Sequence, residues 1–480
     1  MQHAYDDLFG IAMDSARNSA YTSWTAFAGG TTTTTTTSSK PTTTPTFFST
    51  SKKPSSTTSQ TSPSTTAAAA CTGSPASSLG ICDYIVVGGG AGGITIASKL
   101  VNTGKRVLLI ERGPPSSARW GGTIRPSWLA GTNLSRFDVP GLCNELYVDS
   151  TAVCPDYSVL AGCTLGGGTA VNAGLWWKPH SKDFDAFPQN WKYQDMQAAI
   201  ARAFSKVPFT DHPSSDGIIY YPQGFDVLGG VLAKAGWNLV VAGNSPDAKD
   251  NTYSRAENMF SHGERGGPMA TYLVDAASKG NFKLIMNTMV NRVKRTGNEM
   301  TGVEVQGDYC GVINLTGSQG GKVILSAGAF GTPKILFRSG IGPADQLSIV
   351  QQAEGSAMIS SSQWINLPVG ENLEDHAQTD IVWTHPSIQS YDLSAPTTIP
   401  YPRTRPPIST TGRVRSRKPL PSSRFSHGTR SSGLTVLHAR SNGKSEMAAP
   451  TVFTPRAVSP RPSISVAVQR REGGRRSRLR

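Results

Sequence analysis

The stretch "DYIVVGGGAGGITIASKLVNTGKRVLLIERG", residues 83–113, decides the fold. Its "YIVVGG" is a short, apolar, β-branched run that ends in glycine, the pattern of a strand buried on both faces. "AGGITIASKLVNTG" then spaces Ile94, Ala97 and Leu100 at helical intervals, and "RVLLIERG" reads as a second buried strand. The order is β-α-β. At the first turn Gly88, Gly90 and Gly93 stand in a G-x-G-x-x-G pattern with Ala91 inside it. The first glycine permits the tight bend, the second lets backbone approach a pyrophosphate, and the third lets the helix pack close to the strand. Glu111 ends the second strand 18 residues after Gly93. A carboxylate there can accept hydrogen bonds from the ribose hydroxyls of an adenine dinucleotide, and it disfavours a 2′-phosphate. Such a glycine pattern alone is weak, but strand, helix and acid at these distances make the reading dinucleotide binding. The unit by itself leaves FAD and NAD both open.

Outward from this stretch the composition is uneven. The chain has 480 residues, room for two or three domains, and a net charge of +14. Of its 46 Lys and Arg, 18 lie beyond residue 392, against two of the 32 acidic residues. The first 392 residues therefore carry 28 basic against 30 acidic groups, and the near-neutral body has no net basic charge of the kind that suggests a nucleic-acid partner. No apolar run reaches the roughly 18 residues that a membrane span needs.

Four regions follow. Residues 1–29 hold one helical candidate, Ala12–Trp24, and read as the remnant of an N-terminal domain. Residues 30–78 are a Thr/Ser/Pro-rich linker, "TTTTTTTSSKPTTTPTFFSTSKKPSSTTSQTSPSTT" among them, of the kind that is O-glycosylated between secreted domains. Residues 79–392 are the folded body. Residues 393–480 are rich in Arg, Pro and Ser without a helical or strand period, and read as a disordered tail or as the product of a shifted reading frame.

The linker, together with the triplets Asn133-Leu-Ser and Asn314-Leu-Thr, favours secretion, although the N-terminal "MQHAYDDLFGIAMDS" lacks the pattern of a signal peptide. Six cysteines form no C-x-x-C pair, so no metal site is expected. Cys143 with Cys154, and Cys71 with Cys82, can each close a short loop, and buried free thiols are the alternative.

Two further stretches narrow the function. "AGCTLGGGTAVNAGLWWKPHSKDFD", residues 161–185, sets small residues beside Asn172 and the pair Trp176 and Trp177. Its backbone amides suit a pyrophosphate or a flavin ring; the alternative is a tight loop with both tryptophans in the core. "GAFGTPKILFRSGIG", residues 328–342, and "LPVGENLEDH", residues 367–376, follow. On these segments the chain resembles the glucose-methanol-choline (GMC) oxidoreductases. Gly162, Gly166, Gly167, Asn172, Trp176, Pro179 and Asp185 fall where that family's first signature has them, and residues 328–342 match its second.

Within the family the sequence is similar to the flavin domain of fungal cellobiose dehydrogenases, also through "DHPSSDG", "GGPMATYL" and "WINLPVGENLEDH". A linker that follows the end of a cytochrome-type domain fits the same likeness. The resemblance implies an α/β fold, a Rossmann-like FAD-binding lobe with a parallel sheet plus an α+β substrate lobe. It implies noncovalent FAD along Gly88, Gly90, Ala91, Gly93 and Glu111, with Gly166, Gly167, Asn172 and Gly174 alongside and the Val290 backbone at the adenine end. Trp176 and Trp177 would stack on a sugar. In the family's reaction a base takes the anomeric hydroxyl proton while hydride passes to flavin N5, giving a lactone. The implied donor is cellobiose or a related oligosaccharide, and the acceptor a cytochrome domain, a quinone or O2.

The family's catalytic histidine and its His or Asn partner belong to a later segment that finds no counterpart here. The expectation is therefore a C-terminally truncated or frameshifted chain with an incomplete lobe, unknown catalytic residues, crippled catalysis and FAD retention in doubt. Of the eight histidines, His180 and His376 lie inside signature segments, His212 and His262 in loops, and His3 beside a lost haem pocket. Haem b is expected only in an intact parent protein. Two rival readings are another alcohol or sugar oxidase of the same family, and a non-catalytic binding protein whose basic tail contacts polyanions. The tail lacks the interleaved aromatic residues that base stacking requires, so no nucleic-acid partner is expected, and no membrane.

Overall fold

Tyr84–Val87 (β1), Ala91–Val101 (α1) and Val107–Ile110 (β2) form the β-α-β unit that the sequence predicts. The computed structural model describes residues 72–142, 146, 152–156, 161–317, 320–373, 380–383 and 385–388, with strands at 434–437, 451–454 and 464–467. The helical candidate Ala12–Trp24, residues 30–71 of the linker, and Cys71, Cys143, His3, His376, His427 and His438 lie outside the described residues. The last linker residues are described, with Ser74–Pro75 paired as a strand to Tyr309 and Cys310 and Ala76 buried in the core.

Phe282–Ile285 (β3) joins β2, and after a three-stranded antiparallel meander of Thr288–Thr296 (β4), Glu299–Gly307 (β5) and Tyr309–Asn314 (β6) the chain returns as Lys322–Leu325 (β7). The central sheet has the order β7-β1-β2-β3 and every pair is parallel. Its strands are apolar because both faces are covered. Ile85, Val87, Leu108 and Ile110 share one buried cluster with Val290, Val293, Val303, Val305 and Ile313 of the meander. The period of two turns Val86 and Leu109, both fully buried, toward the other face, where α1 packs on the sheet and on Tyr272–Ala277 (α2). Each such side chain contributes roughly 1.5–3 kcal/mol.

The strand order positions the site. From β1 the sheet grows to β2 and β3 on one side, whereas β7 is laid down on the other. In open parallel sheets ligands bind beyond the carboxyl ends of the strands at such a reversal. Gly328–Arg338 (α3), which follows β7, packs on β4 and on Ala344–Glu354 (α4). Between α3 and α4 runs an apolar groove of about 830 Å³, in which Phe330, Ile349 and Leu373 are exposed.

The second lobe is α+β. Helices Tyr193–Lys206 and Gln223–Lys234 accompany the strand Thr252–Arg255, and Phe225, Leu228 and Tyr253 form its small core. Asp380–Trp383 and the strands at 434–437, 451–454 and 464–467 complete a six-stranded sheet with Thr252–Arg255 and Asn238–Leu239. The last three strands, "LTVL", "TVFT" and "ISVA", are four residues each, too short to register as a period in the Arg/Pro-rich sequence around them.

The cysteine pairing differs from both loops read in the sequence. Cys154 bonds to Cys163, not to Cys143, because an antiparallel turn pairs Val153 with Gly162 and brings the two Cα atoms to 4.8 Å. Cys82 is free and buried beside β1, so it forms no loop with Cys71.

Candidate dinucleotide site

The site is assembled where β1 and β7 end. Gly88 has φ +102°, and a Cβ there would lie 2.3 Å from the Ser326 carbonyl oxygen, so glycine alone lets the two strand ends meet. At Gly93 a Cβ would fall 1.9 Å from the Gly88 carbonyl oxygen, which is how the first turn of α1 closes against the bend. Gly90 is different: its nearest neighbour would be the Gly167 Cα at 4.0 Å, and the following Ala91 and Gly92 are exposed. The N–H groups of α1's first turn therefore face accessible space, with the positive end of the helix dipole behind them.

Glu111 stands directly after β2 and is only 5% exposed. Its Oε2 accepts from Gly89 N–H and its Oε1 from Gly113 N–H, each at 2.7 Å. Burial pushes the carboxyl up, while the N–H groups of Gly113 and Gly89 and the charge of Arg112 pull it back in part. A carboxylate offers about four lone-pair positions, and two are taken, which leaves acceptor capacity for a pair of hydroxyls. The Glu111 carbonyl in turn accepts from Thr288 N–H at 3.1 Å, so β4 starts beside it. Val290, two residues on, is 5% exposed with its side chain in the core, and what it can offer a ligand is backbone.

The glycine loop after Cys163 leans on this turn. Gly166 N–H donates to the Gly89 carbonyl at 2.7 Å, and Gly167, at φ +50°, would carry a Cβ 3.0 Å from the Gly90 Cα. Leu165 N–H and the Thr164 hydroxyl both donate to the Pro114 carbonyl, at 3.0 and 2.8 Å. Asn172 braces the far end: its Oδ1 accepts from Gly174 N–H and from Arg265, both at 3.0 Å. Arg265, missed by the sequence reading, also donates to the carbonyls of Phe137 and Thr169. Gly174 has φ +76° and abuts the Phe260 ring.

The structure thus gathers Gly88, Gly90, Ala91, Gly93, Glu111, Gly166 and Gly167 at one crevice, while Asn172 and Gly174 shape the loop behind it. Trp176 is committed to the second lobe, stacked on Phe204 at 4.7 Å with its indole N–H donating to the Val207 carbonyl at 2.8 Å. Trp177 beside it is half-buried.

Four histidines are described; three serve their own loops, and His180 also lies 3.3 Å from Asp247. His180 caps the short helix Ser181–Phe184, His212 pairs with Asp211, His262 with Ser261, and His385 with Ser387. Among the described residues no group of three His, Cys, Asp or Glu could hold a metal ion, and no helix is long and apolar enough to cross a membrane.

Comparison with known proteins places this crevice in a family. A family model described as GMC oxidoreductase matches residues 82–378. The chain is 28% identical over 312 residues to a chloroplastic fatty acid photodecarboxylase of Chlamydomonas reinhardtii, covering 61% of this chain and 48% of that protein. It is 27% identical over 318 residues to an ecdysone oxidase of Spodoptera littoralis, covering 61% and 49%. The crystal structure of a pyridoxine 4-oxidase from Mesorbium loti aligns with a TM-score of 0.44 at 21% identity, over 60% of this chain and 55% of that one. The chain spans about half the length of these relatives.

Proposed function

The chain belongs to the GMC oxidoreductase family, and from that premise we propose that it holds FAD noncovalently at the β1–β7 crevice and oxidises a CH–OH group of cellobiose or a related oligosaccharide. The observation that carries the cofactor is Glu111, fixed by two backbone N–H groups with acceptor capacity to spare, beside the open approach at Gly90. These residues fit a dinucleotide: the N–H groups of α1's first turn would meet the pyrophosphate, Glu111 the ribose, and the backbone at Val290 the adenine end. The bound flavin supplies the hydride acceptor, and the protein supplies position.

The oligosaccharide donor is supported by the likeness of the quoted segments to the flavin domains of cellobiose dehydrogenases. Because one face of Trp176 is taken by Phe204, Trp177 is the better surface for a sugar ring, and Asn172, Gly174 and the Gly166–Gly167 pair set its distance from the flavin. The proton acceptor is not assigned. Electrons would leave to a cytochrome domain, a quinone or O2. An extracellular setting is supported by the Cys154–Cys163 disulfide and by the disulfide-bonded state of Cys310, since such bonds persist in oxidising compartments.

The test is to titrate the full 480-residue chain with FAD and then mix it anaerobically with cellobiose. Saturable FAD binding is expected; loss of the oxidised flavin absorbance on adding cellobiose would support the oligosaccharide donor and overturn the expectation of crippled catalysis. Reduction by a simple alcohol but not by cellobiose would overturn the oligosaccharide donor, and absence of FAD binding would overturn the proposal as a whole.

A further inference from the structure

Glu111 is aimed by Gly89 and Gly113, and both glycines are held from outside by one strap. Its first arm, residues 152–156, pairs with a second arm through Cys154 N–H to the Ala161 carbonyl at 2.8 Å and Cys163 N–H to the Ala152 carbonyl at 2.9 Å. The Cys154–Cys163 disulfide locks the arms together. The second arm runs on into the glycine loop and reaches both supports of Glu111. Gly113 lies so close that a Cβ on it would be 2.0 Å from the Cys163 carbonyl oxygen, and Gly89 receives the Gly166 N–H.

Asp156, at the end of the first arm, ties the strap to the rest of the site. It pairs with Arg112 at 2.8 Å, the residue between Glu111 and Gly113, and with Lys334 of α3 at 2.6 Å. Burial alone would raise the Asp156 carboxyl, but the two cations more than offset it and hold it at about 2. The three residues come from separate parts of the chain, and none of them lies in a strand of the central sheet.

We propose that Asp156 and the Cys154–Cys163 disulfide are positioning elements of the dinucleotide site, a clasp that keeps Gly89 and Gly113 in the register at which Glu111 meets the ribose. The inference rests on the FAD reading above and adds the residues that set its affinity. The clasp acts at the adenosine half, so FAD and ADP should respond alike.

Dissociation constants for FAD and ADP, measured on the full chain, decide it. Asp156→Asn should weaken both about threefold, because a half-exposed ion pair contributes little, and Asp156→Glu should recover most of the loss. Added salt should shrink the Asp156→Asn effect. The double variant Cys154→Ser, Cys163→Ser should weaken both ligands about tenfold or more at any salt. Lower thermal stability with unchanged FAD and ADP affinity would overturn the clasp and leave a plain staple. Glu111→Gln separates the two claims: loss of binding there with native affinity in the clasp variants sinks the clasp alone. A native chain that binds neither FAD nor ADP sinks both.

Discussion

The turn at Gly88–Gly93 and the loop at Gly162–Gly174 are both rich in glycine and lie against each other, yet they are constrained in opposite ways. In the turn the tightest contact is internal, Gly93 against the Gly88 carbonyl five residues back. In the loop the two tightest contacts come from far along the chain, Phe260 against Gly174 and Met269 against Gly166, ahead of the internal contact of Gly162 with the Gly167 carbonyl. The turn is therefore closed chiefly within the β-α-β unit, with Gly88 also meeting the end of β7 at Ser326. The loop has a shape only once the second lobe and the strap have folded around it.

The contrast can be broken most directly at the turn. Gly93→Ala puts a methyl 1.9 Å from a backbone oxygen and should cost about 3 kcal/mol or more in chemical denaturation. Gly90→Ala meets nothing closer than 4.0 Å, so it should change stability by less than about 1 kcal/mol while FAD titration shows a large loss. Equal destabilisation by the two would end the distinction between a packing glycine and an approach glycine. Glu111→Gln comes next. Its amide must turn an N–H toward Gly89 or Gly113, both already donors, and calorimetry should show a loss of about 1–3 kcal/mol.

At the second lobe, Trp176→Phe keeps the stack on Phe204 but loses the bond to Val207, with an expected cost of about 1 kcal/mol. The smallest effect is that of pH on the strap. The Asp156 carboxyl is depressed to about 2, so its ion pairs stabilise the fold fully above the unfolded carboxyl value of about 4 and are lost as pH falls toward about 2. The stability gap between the native chain and Asp156→Asn should thus be constant near neutrality and close in strong acid.

The same division governs what could be read in advance. The strands, the helix, the three glycines and Glu111 are specified by spacing within about thirty residues, and the structure assembles them as read. The partners of Glu111 are adjacent in sequence to residues already singled out, yet neither Gly89 nor Gly113 has a pattern of its own. The brace from Arg265 to Asn172 spans 93 residues and the Asp156–Lys334 pair spans 178, distances over which spacing carries no signal. The disulfide is illegible for a related reason. Spacing leaves Cys154 open to a loop with Cys143 or to a free thiol, whereas the choice of Cys163 is made by backbone pairing at Val153 and Gly162. Trp176 was legible as an aromatic but not as one already stacked, because Phe204 comes from a different helix.

The position of β7 has a consequence in time. Val87 waits for Leu325, more than two hundred residues later, before the crevice has its second wall. At roughly 5–20 residues per second the ribosome takes on the order of ten seconds or more to deliver that strand, and pairings this distant are slow to form. Through that interval the edge of β1 that β7 will cover is an open template. The nascent chain is thus most exposed to mispairing while its most recognisable motif is already made.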